Sequence, residues 1–104
     1  SSNFYSPPAI SKETMRGSFD FNYSNPKNIS VGMFNTAGTL VRELYRESNV
    51  KPGFKKLNFE FDSQTYTDDT YNFYLIADGK IDLKIQIKPN EIRKKAIEQG
   101  GGQH

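Results

Sequence analysis

The sequence predicts an all-β sandwich of about seven strands, followed by a short helix or flexible tail. Three observations carry that expectation. Apolar and polar residues alternate through several short runs, the pattern of strands with one buried face. Turn signals recur at intervals of roughly 8–12 residues, as in sandwich folds. Asp78-Gly79 also separates two alternating runs, where a two-residue hairpin turn needs φ > 0 at both positions.

The elements follow in order. Met15, Gly17, Phe19, Phe21 and Tyr23 alternate with Arg16, Ser18, Asp20 and Asn22, giving a half-buried first strand. Asn25-Pro26-Lys27-Asn28 is a turn, because proline presets φ and asparagine tolerates unusual dihedrals. Ile29, Val31 and Met33 restart the alternation, and Asn35-Thr36-Ala37-Gly38 closes a hairpin. Thr39 to Arg46 returns as the third strand. Lys51-Pro52-Gly53 is the clearest central turn, followed by a strand through Leu57, Phe59 and Phe61.

Asp62 to Thr70 is a polar loop. Tyr71, Phe73, Leu75 and Ala77 line one face of the next strand, with Tyr74 and Ile76 on the other, so this strand is expected to be central and covered on both sides. Ile81, Leu83, Ile85 and Ile87 answer across the Asp78-Gly79 turn. A seventh strand comes from 3–6 or 9–12, and Pro7-Pro8 restricts it to an edge. Pro89 ends the sheet, and Asn90 is expected to cap a helix over Glu91 to Gln99. Gly100-Gly101-Gly102 should stop that helix and act as a tail or linker.

The domain plan is therefore an N-terminal arm or edge strand (1–14), a sandwich (15–88), and a short helix with a glycine-rich tail (89–104). The expected core is Met15, Phe19, Phe21, Ile29, Val31, Val41, Leu57, Phe59, Phe61, Tyr71, Phe73, Leu75, Ile81, Leu83 and Ile85.

Composition excludes several chemistries. There is no cysteine, and the only histidine is His104, so thiol catalysis, iron–sulfur and zinc-ribbon sites and histidine triads are not available to this chain. Fourteen Lys+Arg against twelve Asp+Glu leave +2, too little to imply nucleic acid, and none is expected as a partner. The longest apolar run, Tyr74-Leu75-Ile76-Ala77, is far short of the ~20 residues of a membrane helix, so no membrane span is expected. The start at Ser1-Ser2-Asn3, with neither an initiator methionine nor a signal-peptide core, suits a processed chain or an excised domain.

Three stretches carry the wider resemblance: Met15-Arg16-Gly17-Ser18-Phe19-Asp20-Phe21, Ile29 through Leu44 with its Gly38 turn, and Thr70-Tyr71-Asn72-Phe73-Tyr74-Leu75-Ile76-Ala77-Asp78-Gly79-Lys80. Together they resemble the immunoglobulin-like domains of flagellar hook-cap proteins and the C-terminal domains of proteins exported by the type IX secretion system. The resemblance covers about Met15 to Lys88. It implies an immunoglobulin-like β-sandwich and an extracellular, cell-surface or periplasmic location. Asp69-Thr70 stands where those domains place a glycine before the late tyrosine, and Pro89 to His104 extends past their usual end.

Candidate sites are few. Asp62, Asp68 and Asp69, with Asp20 or Glu60, offer the hard oxygen ligands that calcium takes, but their spacing does not match a twelve-residue calcium loop. A solvated loop with no cofactor is the expectation, and calcium is the one ion these residues would suit. Lys84, Lys88, Arg93, Lys94 and Lys95, with Lys80, place six positive residues against Asp82 and Glu91, a surface suited to an acidic partner. Lysine on an edge strand also simply prevents sheet-to-sheet pairing. Tyr5, Tyr45, Tyr66 and Tyr74 are candidate carbohydrate-stacking platforms, although tyrosine packs sheet faces equally well.

With no phosphate loop, nucleophile elbow or assembled carboxylate pair, no enzyme activity is expected. The sequence points instead to a structural or assembly module of a bacterial exported or cell-surface system. Its expected partner is another protein or a second copy, and carbohydrate binding is the alternative.

Overall fold

A computed structural model of the chain describes residues 13–101. Six strands and one helix follow in order: β1 (Thr14–Tyr23), β2 (Lys27–Phe34), β3 (Leu40–Val50), β4 (Gly53–Asp62), β5 (Tyr71–Ala77), β6 (Lys80–Ile87) and α1 (Pro89–Gly101). The strands form two antiparallel sheets, one of order β1-β4 and one of order β3-β2-β5-β6. The segments considered for a seventh strand, 3–6 and 9–12, lie outside the described residues.

The alternating residues supply the inner faces. Phe19 and Phe21 of β1, Leu57, Phe59 and Phe61 of β4, and Val31, Met33, Phe73 and Leu75 of the larger sheet are buried in one cluster. Rings join the two sheets. Phe59 stacks on Phe73 with centroids 4.7 Å apart, and Phe61 approaches Phe73 at 5.3 Å and Tyr71 edge-on at 5.8 Å. Gly17 pairs directly opposite Phe59, and a Cβ at Gly17 would lie 2.5 Å from the ring carbon Cζ of Phe59. The missing side chain in β1 therefore makes room for the ring that bridges the sheets.

Turn chemistry sets the connections. Asp78 and Gly79 have φ of 50° and 82°, the doubly positive geometry of a tight hairpin. In the β2–β3 turn, the Asn35 Oδ1 accepts the N–H groups of Ala37 and Thr39 at 3.1 and 2.9 Å. At the opposite end of β2, Asn28 joins three segments. Its N–H donates to Asp78 Oδ1, its carbonyl accepts the Asp78 N–H, and its Oδ1 accepts the N–H of Asn49. Gly53, at φ 112°, carries the chain from the larger sheet into the smaller one just after Lys51-Pro52.

Several expectations are corrected. Ile81 is 61% exposed, because the β5–β6 register shifts between Leu75 and Ile76 and pairs Ile81 with Ile76 on the outer face. Val41, Leu83 and Ile85 are only partly buried, since they lie on the edge strands β3 and β6. Met33, Val50, Ala77 and Ile87 join the core instead. β5 is central, between β2 and β6, but its second face is half-buried rather than covered.

Strand and helix limits also move. β3 runs on to Val50, and β4 begins at Gly53, before Leu57. Asn90 does not cap the helix. The Lys88 carbonyl accepts the N–H groups of Glu91 and Ile92, and Pro89 takes the first helical position, where no N–H is needed. The helix extends to Gly101, past the expected stop.

Candidate interaction surface

The outer face of the four-stranded sheet is built on β2. From Ser30 onward its even-numbered residues point away from the core, and register places their neighbours. Gly32 lies between Glu43 of β3 and Tyr74 of β5, and Phe34 lies between Leu40 and Asn72. With no side chain on Gly32, the Phe34 ring folds back over it. A Cβ there would sit 2.7 Å from that ring and 3.1 Å from Leu40 Cδ1. Phe34 also rests on Tyr74, with centroids 4.8 Å apart. Ile76 and Ile81 continue the apolar surface across β5 and β6.

This face ends in an open depression of about 270 Å³ whose lining includes Gly32, Phe34, Leu40 and Ile76. Leu40 is 51% exposed and Ile81 61%, so two large aliphatic side chains stand in solvent on one face. Charge borders it. Arg46 Nε donates to Glu43 Oε1 at 3.0 Å, and this contact holds the Glu43 carboxyl below the usual range. Lys84, opposite Tyr74, supplies a cation on the far side. A contiguous apolar surface with a charged border has the anatomy of a protein contact. Sequence reading missed it because Phe34 directly follows Met33 and breaks the alternation, and because Ile81 fits a core pattern until the register shift is known.

The expected basic surface is divided. Lys88 and Lys95 share a shallow hollow with Gln86, Glu91 and Ile92, and Lys88 Nζ lies 3.9 Å from Glu91. Arg93 turns toward the body, where its Nε meets Glu13 Oε1 at 2.9 Å. Lys84 belongs to the sheet face, and Lys94 is exposed on α1.

The candidate carboxylates do not converge on one point among the described residues. Asp62 accepts from the Gln64 N–H and the Thr65 hydroxyl, and Asp69 accepts from Asn90 Nδ2 at 2.8 Å. Asp68 offers its own N–H to the Tyr71 hydroxyl at 2.9 Å. Asp20 pairs opposite Lys56, and Glu60 faces Arg16 at 3.3 Å. No three His, Cys, Asp or Glu side chains among the described residues gather as metal ligands.

The tyrosines do not line up. Tyr45 sits on the core side opposite Val31, Tyr74 is on the outer face, and Tyr66 packs edge-on against Tyr71. Tyr5 lies outside the described residues. Three phenols are held above the ordinary tyrosine range. Burial and a hydrogen bond to Asp82 raise Tyr23, a bond to Glu47 raises Tyr45, and burial raises Tyr71.

No helix among the described residues is long and apolar enough to cross a membrane. Comparison with family models, curated proteins and solved structures finds no match to this chain.

Proposed function

We propose that this chain is a non-catalytic assembly module of a bacterial exported or cell-surface system, built on an immunoglobulin-like sandwich and acting through protein–protein contact. The fold reading rests on strand order. A β1-β4 pair facing β3-β2-β5-β6 corresponds to the B-E and C′-C-F-G strands of the immunoglobulin plan. Tyr71 adds to it. It begins the sixth strand of that plan, and its hydroxyl bonds back to backbone three residues upstream, as a tyrosine corner does.

One observation carries the functional reading. Phe34, Leu40, Tyr74, Ile76 and Ile81 form an apolar surface on the outer face of a sheet, where solvent would favour polar side chains. Covering that surface with a partner protein removes it from water, and the Glu43–Arg46 pair and Lys84 would fix orientation at its border.

Site-specific photo-crosslinking in a bacterial envelope tests this. A crosslinking side chain at Leu40 or Ile81 should give discrete protein adducts, and one at Asp20 on the other sheet should not. Equal labelling from all three positions would reject the reading. Light scattering over a concentration series then tells self-association from binding of a different protein.

A further inference from the structure

A second surface lies between the two sheets, apart from the outer face. β3 and β4 meet at Lys51-Pro52 and diverge from that corner into different sheets. Among the described residues β3 pairs only with β2, and β4 only with β1. Between their outer edges lies a cleft of about 510 Å³. Its floor is the buried Phe21, Val50 and Leu57, and Lys51, Lys55 and Lys56 stand around it. Glu47 is the only acid in the lining, and the Tyr45 hydroxyl already donates to it.

The cleft has two properties that together define a ligand. First, β4 in a two-stranded antiparallel ladder turns alternate N–H and C=O groups away from β1, a template for one more strand. Second, no ion pair forms at Lys51, Lys55 or Lys56 among the described residues, although Asp20 stands opposite Lys56 in the ladder. Lysines on a free edge repel a neutral or basic strand, because pairing would strand their charges beside it. An acidic strand removes that penalty. The chain's own residues outside the described range do not qualify, since 1–12 and 102–104 contain no Asp or Glu and include Lys12.

We propose that the β3–β4 cleft binds an extended acidic segment of a partner protein, which pairs with the outer edge of β4 as a third strand. Main-chain hydrogen bonds to β4 would give the register. Carboxylates at alternate positions would face Lys56 on the outer side of β4, and small apolar side chains between them would cover Phe21, Val50 and Leu57 on the inner side, with Lys51 and Lys55 at the rim.

The test uses the full chain and three end-blocked eight-residue peptides: glutamate alternating with valine, lysine alternating with valine, and the glutamate peptide with one central valine replaced by proline. Amide shifts in two-dimensional NMR locate binding, and a titration gives affinity. The glutamate peptide should shift amides of Lys55 to Asn58 and bind roughly tenfold more weakly to Lys51→Glu/Lys56→Glu, whose two substitutions lie at exposed positions. Equal binding of the lysine peptide would overturn the charge argument. Equal binding of the proline peptide would overturn strand pairing. Absence of binding at millimolar peptide, or shifts confined to the Phe34 and Leu40 face, would overturn the proposal as a whole.

Discussion

Gly17 and Phe59 show how much a single missing Cβ can decide. The Phe59 ring occupies the space a side chain at Gly17 would need, and from there it stacks on Phe73. Gly17→Ala should destabilise the fold by about 1–3 kcal/mol, since the ring must move within a packed core. Phe73→Ala, which leaves a cavity between the sheets, should cost about 3–5 kcal/mol. Urea midpoints measure both, and an unchanged midpoint for Gly17→Ala would place the ring elsewhere.

Tyr23 contributes to the alkaline pH dependence, alongside Tyr45 and Tyr71. Its hydroxyl donates to Asp82 of β6, and burial with that carboxylate raises its pKa in the folded protein. A raised folded pKa means the interaction stabilises fully below the unfolded value of about 10 and is lost as pH rises beyond it. Stability should therefore fall above about pH 10, and less steeply in Tyr23→Phe. Chemical denaturation at pH 8 and at alkaline pH compares the two.

At the scale of elements, the central strands were legible and the edges were not. β5 and the Asp78-Gly79 turn follow from alternation and from the need for two positive φ values. β3 did not follow beyond Arg46, because Glu47-Ser48-Asn49 carries no apolar period and its pairing with β2 is interrupted by bulges. The same limit hid Ile81, whose face depends on a register shift that lies in the partner strand as much as in its own.

The helix is a different case. Its sequence signals are real but sparse, and among its described side chains Pro89 is buried, Arg93 is half-buried and the rest are exposed. A helix this short and this polar depends on its contacts with the body, here Arg93 with Glu13 and Asn90 with Asp69. Arg93→Ala should leave the sheets intact, at a cost of about 0.5–1 kcal/mol or less, and speed hydrogen exchange along α1.

For the whole molecule, the key fact is an imbalance of width. Two strands span about 10 Å across the sheet and four about 19 Å. The smaller sheet therefore cannot cover the inner face of the larger one, and Leu83, Ile85, Val41 and Tyr45 at its margins remain partly open. The list of strands in sequence order does not reveal this. Three chain crossings between sheets produce it, at Ser24-Asn25-Pro26, at Lys51-Pro52 and across the loop 63–70, and all three look like ordinary turns or loops in the sequence. The candidate surfaces were hidden for the same reason: Phe34, Leu40 and Ile81 come together only once β3, β2, β5 and β6 lie side by side. Leu40→Lys/Ile81→Lys should preserve the melting temperature, since both side chains are exposed, while abolishing whatever association the native face supports in light scattering.

Asn28 makes distant parts of the chain open together. Through one residue the tip of the β5–β6 hairpin and the end of β3 are tied to the start of β2, so neither can detach without weakening the hold on the other. That is energetic coupling between segments about fifty and twenty residues away along the chain. Asn28→Ala removes the acceptor of the Asn49 amide and keeps the backbone bonds to Asp78, so coupling should show as faster exchange at Asp78 as well as at Asn49, and a double-mutant cycle with Asp78→Ala should be non-additive. This end of the molecule would then behave as one cooperative unit, and a partner that gripped either loop would be felt at both.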